Sequence, residues 1–489
     1  MSTHAPAPVF WRHHRRRHMD HPLQSNYTVD EMDRASHLHP VTSIQMLEEH
    51  GPTMFGNASG VTVEGPGGVS MIDFGAGLWC VNAGYGREEL IAAGAEAMRD
   101  LSYFHCFGGA SNAYAARLAE TLLGLLREKA GARHMSKVFF GLSGSDANDS
   151  AYKLVRYLNN LRGKPQKKKF LSRLGAYHGL TYAAAGLTGI PGYHRAFDLP
   201  QNDVIHLACP HAYRYAQGEE TEAEFAARLL AELERTIARE GADTIGAMIL
   251  EPIMGTGGVL IPPENYLRGV QQILKDNDIL MIVDEVITGF GRLGSWFGTG
   301  HFELEPDIVT LAKGVTSAYF PMSCTVISEA IYDSLREASP KTGSVMHGFT
   351  YSGHPVGCAI GLANLELMAR EGLVENAANA GPLLVQRLQE RVGDHPFIGD
   401  IRGVGLMAAV ELVADRETRR FFAEGQEPHK RLAVQAMQEG VLVRGLPFIE
   451  VVSFSPPLSI TDEQITEGVD RFASALEKAT PALEVAARA

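Results

Sequence analysis

Short apolar runs recur along the middle of the chain. From about residue 138 they read KVFF, KFLSRL, VIHLA, TIGAMIL, ILMIV, DIVTLA and MSCTVIS. Continuous Val, Ile, Leu and Phe bounded by Gly and turn residues is the pattern of a strand covered on both faces. Between several of these runs lie stretches such as ANDSAYKLVRYL and EAEFAARLLAELERTIARE, whose apolar positions recur at helical spacing. The alternation predicts βαβ units and a mostly parallel seven-stranded sheet, hence an α/β fold.

Around residues 351–360 the pattern changes to helices (ENAANAGPLLVQRLQERV), isolated strands (GLMAAVELV, VLVR, VVSFS) and a last helix opened by TDEQ, where Thr461 and Gln464 have capping-box spacing. A smaller α+β C-terminal domain fits that shift. Residues 1 to about 80 are rich in Gly and Pro and read as an extended, hairpin-like leader. The expected division is an N-terminal arm and small-domain segment over 1–80, a large domain over 81–350 and a small C-terminal domain over 351–489.

Composition narrows this picture little. At 489 residues the chain exceeds the roughly 250–300 residues one core can organise, so more than one domain is expected. A net charge of −13 without a basic face argues against a nucleic-acid partner, and no run approaches the roughly 20 apolar residues that span a bilayer. Five scattered cysteines with no CxxC pair read as reduced thiols of a cytoplasmic protein. The RHHRRRH stretch at residues 12–18 reads as a solvated arm.

The chemistry lies at strand ends. ILMIVDEV and DIVTLAKG each deliver one charged side chain, Asp284 and Lys313, near a carboxyl end, where open α/β sheets bind ligands. A cofactor that needs an acid and a lysine together is pyridoxal phosphate (PLP): its aldehyde condenses with the amine while the acid keeps the pyridine nitrogen protonated. KVFFGLSGSDAND reads as strand, turn and helix, placing Ser143, Gly144 and Ser145 at a helix start that suits a phosphate. AYHG offers Tyr177 and His178 near the same cleft, Tyr177 as a ring to stack on a planar cofactor. Val286, two residues past Asp284, points the same way as the acid and suits the other face. Taken singly, each reads equally well as a cap, a core residue or a surface lysine. An ATPase acid at Asp284 would require GxxxxGK[ST], which is absent; GLSGS is not a nucleophile elbow; there is no HExxH and no metal-ligand spacing.

IVDEVITGFGRLGSWFG followed by PDIVTLAKG resembles the signature of class III aminotransferases, PLP enzymes of fold type I. Further matches are GLWCVNAGYG, FFGLSGSDAND, AYHG, EPIMGTGGV, HGFTYSGHP and SPPL, in the family's order. The resemblance implies that Lys313 is the Schiff-base and proton-transfer lysine, that Asp284 pairs with the pyridine nitrogen, and that Val286 and Tyr177 sandwich the ring. It places Ser143, Gly144 and Ser145 at the phosphate, His178 and Glu251 beside the cofactor, and Phe349 and Thr350 at the phosphate from a second subunit. Met254 stands where many members carry Gln, and a thioether donates no hydrogen bond to the ring hydroxyl.

Within the class, GLWC and VLVRG are similar to the ω-transaminases. That likeness implies that Trp79 and Phe107 line the substrate pockets and that Arg444 pairs with an acceptor's carboxylate. Gly108, Gly109, Gly186 and Gly189 suggest a roomy pocket. The implied enzyme is a cytoplasmic homodimer or tetramer that moves an amino group from a primary amine or ω-amino acid to a 2-oxo acid such as pyruvate, ping-pong through pyridoxamine phosphate. The alternatives are a diamine, taurine, β-alanine or long-chain amine donor, a decarboxylase or aminomutase on the same scaffold, and a PLP-free protein that keeps the fold.

Overall fold

A computed structural model describes residues 28–488; the basic stretch at 12–18 lies outside them. All seven apolar runs form strands: β1 Met135–Gly141, β2 Lys169–Arg173, β3 Val204–Leu207, β4 Ile245–Leu250, β5 Leu280–Asp284, β6 Ile308–Leu311 and β7 Ser323–Ser328. They build one sheet in the order β1-β7-β6-β5-β4-β2-β3, in which β7 alone runs antiparallel to its neighbours. The reason the runs carry apolar residues at successive positions is visible in the packing. Phe170, Ala247, Ile249 and Ile282 face helix Gly144–Leu161 through Ala151, Val155 and Leu158, while Leu171, Met248, Leu250 and Val283 face helices Glu222–Glu240 and Tyr266–Asp276. Each such buried side chain contributes about 1.5–3 kcal/mol, so both faces are secured.

The smaller C-terminal domain carries β8 Ile398–Val404, β9 Met407–Leu412, β10 Arg444–Gly445 and β11 Val451–Phe454, ordered β8-β9-β11-β10 with antiparallel pairs throughout. Helix Asp462–Arg488 begins at the expected box, with the Gln464 amide donating to Thr461 Oγ1 at 3.3 Å and the Thr461 amide to Gln464 Oε1 at 3.0 Å. The leader is more ordered than its Gly and Pro content predicts. Helices Val29–Ser36 and Ile44–His50 precede the hairpin Thr62–Glu64/Ser70–Asp73, the first started by a capping box between Thr28 and Glu31. Neither helix buries a residue, and at eight and seven residues each is too short for a helical repeat to stand out in the sequence. The hairpin sheet is completed from the far end of the chain, where Val441–Leu442 pairs in parallel with Ile72 and Asp73.

A buried charge cluster joins the two parts. Glu411 on β9 accepts from His211 Nε2 at 2.9 Å, from Arg402 Nη1 at 2.6 Å and from Arg214 Nε. Arg402 also donates to the Gly258 carbonyl at 2.6 Å and the Val259 carbonyl at 3.0 Å. Burial works against the Glu411 charge, but His211, Arg402 and Arg214 outweigh it and hold the carboxyl at about 2. Glu411→Ala leaves the buried Arg214 guanidinium without a carboxylate and Arg402 with Asp400 alone, and is expected to cost about 3–5 kcal/mol, read as a lowered denaturation midpoint at neutral pH. Because the folded value lies below the ordinary 4.5, the stabilisation is complete above pH 4.5 and lost as pH falls towards 2.

Candidate active site

Strands β2, β4, β5 and β6 are parallel and adjacent, so their carboxyl ends share one edge of the sheet. Beyond those ends the chain passes Tyr177, Glu251, Asp284 and Lys313 in turn. Asp284 closes β5 and is buried. Its Oδ2 accepts from Asn148 Nδ2 at 2.8 Å and His178 Nδ1 at 2.8 Å, and its Oδ1 accepts from the Val286 amide at 3.0 Å. A carboxylate is acceptor-only, which suits three donors, and the arrangement puts the His178 proton on Nδ1. Asn148 is itself held, donating to the His178 carbonyl at 2.7 Å and accepting from Thr310 Oγ1 at 2.8 Å. Its role was hidden in the sequence, because an Asn inside a helix start reads as a cap.

Lys313 follows β6 with a left-handed backbone, φ 46°. That conformation costs a non-glycine residue on the order of 1–3 kcal/mol and persists only where the surroundings enforce it. Burial lowers its ammonium from 10.5 to about 8; Cys80, Asp284 and Glu251 support the charge, and Arg444 opposes it. An amine near 8 is partly neutral at physiological pH, as a nucleophilic lysine must be.

Glu251, buried at the end of β4, accepts from the Tyr177 amide at 3.0 Å and the Gly255 amide at 2.8 Å. The acid therefore ties the Tyr177 turn to the turn that carries Met254. Burial, and after it Asp284, raises its carboxyl above the ordinary value, although His178 and the two amides work against this. Tyr177 lies 5.8 Å, centroid to centroid, from the ring of Tyr193. Both phenols lie within electrostatic reach of Arg444, whose guanidinium burial shifts downward. No carboxylate among the described residues pairs with Arg444. Tyr193 sits in a short turn, Pro191–Tyr193, and had no pattern to announce it.

The turn before helix Gly144–Leu161 divides the work of its three residues. Ser143 spends its hydroxyl and amide on a capping box with Asp146. Ser145 Oγ accepts from the Leu180 amide at 3.1 Å. The amides of Gly144 and Ser145 stand at the first helical positions, where they have no intrahelical acceptor. A Cβ on residue 144 would come within 2.8 Å of Val286 Cγ1, so glycine lets the turn approach the Asp284 strand.

Trp79 is buried in an apolar cluster with Ala176, Ile253, Met254 and Ile449, which accounts for a thioether at 254. Phe107 and Thr350 are exposed, and Phe107 lies against Gly348 of the loop that carries Phe349 and Thr350. Among the described residues, neither Phe107 nor Thr350 is hydrogen-bonded to the Asp284–Lys313 group. The glycines differ. Nothing lies within 4 Å of a Cβ at Gly108 or Gly109, whereas one at Gly186 would meet Gln201 Oε1 at 1.6 Å and one at Gly189 the Arg173 carbonyl oxygen at 2.0 Å. Gly186 and Gly189 are close-packing positions and give no room to a ligand.

Residues 45–476 match the Aminotransferase class-III family profile. The chain belongs to the class III aminotransferases. This aminotransferase is 43% identical over 426 residues to the diaminobutyrate–2-oxoglutarate transaminase of Halomonas elongata, covering 87% of this chain and 90% of the relative. It is 39% identical over 447 residues to the mitochondrial gamma aminobutyrate transaminase 1 of Solanum lycopersicum, covering 91% of this chain and 85% of that one. Among solved structures it resembles the omega transaminase from Pseudomonas jessenii in complex with PMP, at 42% identity and TM-score 0.90, with 94% and 99% of the two chains covered.

Class III aminotransferases use PLP, and the fold is fold type I. The residues present fit that group. Asp284 offers a fixed, buried carboxylate; Lys313 offers a softened amine; the Gly144–Ser145 amides offer an anion site; and His178 Nε2 is buried with no hydrogen-bond partner. No helix among the described residues is long and apolar enough to cross a membrane.

Proposed function

We propose that this aminotransferase moves an amino group from a primary amine to a 2-oxo acid of the pyruvate type, as a cytoplasmic homodimer. The observation that carries the reading is Arg444, half-buried beside Tyr177 and Tyr193 with no acidic partner among the described residues. A desolvated guanidinium beside two phenols and without a carboxylate partner recognises one planar anion, the carboxylate of the acceptor. Tyr193 beside it, with Trp79 read as a wall of the donor pocket, suits the uncharged body of a donor amine.

PLP, when bound, supplies a carbonyl that captures the amine and a ring that takes up the electrons of a broken Cα–H bond. The rest falls to the chain. The Lys313 amine would hold the cofactor and, once released by the donor's own amine, would carry the proton lost from the substrate Cα. Asp284, oriented by Asn148 and His178, holds a proton on the ring nitrogen. The first-turn amides of Gly144 and Ser145 bind the phosphate, and Val286 and Tyr177 hold the ring plane. Phe107 and Thr350 are exposed and Phe349 is half-buried in the same loop region, which supports their completing a second copy's site.

Arg444→Ala is expected to raise KM for pyruvate by on the order of 10–100-fold, the worth of one charge-assisted pair, while the half-reaction with an uncharged amine keeps its rate. An unchanged pyruvate KM would sink the acceptor assignment. The likeness to a diaminobutyrate transaminase supports a second reading, a donor that itself carries a charge. A donor panel of putrescine, β-alanine, taurine, 1-phenylethylamine and long-chain amines, with pyruvate as acceptor, separates the two.

A further inference from the structure

Strand Ser70–Asp73 ends in a buried acid that the mechanism leaves unused. Asp73 Oδ1 accepts from the Gly75 amide at 2.7 Å, and its Oδ2 accepts from the Gly77 amide at 2.7 Å and from the Tyr85 hydroxyl at 2.7 Å. Burial first, and Asp73 after it, pushes the Tyr85 phenol well above its ordinary value, so it remains a donor at any working pH.

The chain these bonds hold is unusual. Ala76, Gly77 and Trp79 have φ of 45°, 63° and 64°, three left-handed residues in four. L-residues keep such angles only where outside contacts over-determine them. A plain turn at a strand end would need the two amides alone. It would not recruit a phenol from twelve residues along the chain.

The turn has a clear output. It drives the Trp79 indole into the apolar cluster with Ala176, which precedes Tyr177, and with Met254, on the turn tied to Glu251. The next residue, Cys80, lies within electrostatic reach of Lys313. A change in this turn therefore moves a pocket wall relative to the nucleophile without touching the nucleophile itself.

We propose that Asp73 and Tyr85 are specificity-positioning residues: the carboxylate, braced by the phenol, clamps the Gly75–Trp79 turn and sets the size of donor that fits before Lys313. This rests on the reading of Trp79 as a wall of the amine pocket. Tyr85→Phe removes one hydroxyl, and Asp73→Asn keeps the shape but can no longer accept from all three donors.

The test uses the full-length holoenzyme with isopropylamine and 1-phenylethylamine as donors and pyruvate as acceptor. Either variant is expected to shift the ratio of the two donors' kcat/KM by on the order of tenfold, with kcat for isopropylamine and the PLP stoichiometry retained. In the cofactor-free protein, the tryptophan emission of Asp73→Asn, after subtraction of its Trp79→Phe counterpart, is expected to move to longer wavelength as the indole loses burial. Parallel losses for both donors, an unmoved ratio or an unmoved emission overturns the clamp. Trp79→Phe, measured alongside, separates the two levels. If it leaves the donor ratio unchanged, the pocket reading fails and the clamp with it; if it moves the ratio while Tyr85→Phe does not, the clamp alone fails.

Discussion

Lys313→Ala is expected to lower transamination by on the order of 10⁵–10⁶-fold, the scale seen when a covalent nucleophile is removed. The protein should still fold, because a buried amine whose charge is disfavoured costs stability at neutral pH rather than supplying it. Lys313→Arg is expected to be nearly as inactive: it restores a cation but has no neutral amine to offer. Steady-state rates, with bound PLP counted after gel filtration, check both variants, and wild-type turnover in either would remove Lys313 from the chemistry. The pH dependence follows from the folded value near 8 against the ordinary 10.5. The folded state favours the neutral amine, so Lys313 opposes folding below pH 8, and that cost fades between about 8 and 10.5. Covalent capture of PLP by the cofactor-free protein is expected to accelerate as pH rises through about 8 and then to level off.

The second large effect is expected at Asp284. Asp284→Asn preserves volume but replaces one acceptor oxygen with a donor that faces the Asn148 amide, the His178 imidazole or the Val286 amide. The substitution removes the negative charge on which a protonated ring nitrogen depends. A loss of about 10²–10³-fold in kcat is expected, comparable to deleting one preorganised electrostatic contact. Asn148→Ala should reproduce part of that loss, since it frees Oδ2 of one donor while leaving the acid. Single-turnover rates at saturating amine report the chemical step directly. An Asp284→Asn enzyme with unchanged kcat would mean that the acid only supports the fold.

Much of this was legible in the residues themselves. A strand covered on both faces carries apolar residues at successive positions, so β2, β4, β5 and β6 could be read without structure, and with them the edge where Asp284 and Lys313 meet. What escaped the reading depends on partners far along the chain. Glu411 finds Arg214 and His211 across about two hundred residues, and nothing local to Glu411 marks it as a buried acid. Asn148 and Tyr193 sit where a helix start and a short turn admit almost any polar residue. Gly186 and Gly189 misled for a related reason: a glycine that gives room to a ligand and one that gives room to a packed backbone are spelled alike.

The strand that closes the hairpin sheet also sets a temporal order. Ser70–Asp73 leaves the ribosome long before its parallel neighbour Val441–Leu442. Non-local parallel pairing cannot stabilise an element before both strands exist. The turn that carries Trp79 and the strand that carries Arg444 are therefore finished together, after the seven-stranded sheet has had time to form. A nascent or C-terminally truncated chain would carry Lys313 and Asp284 on a formed sheet yet lack the finished turn and strand that bear Trp79 and Arg444.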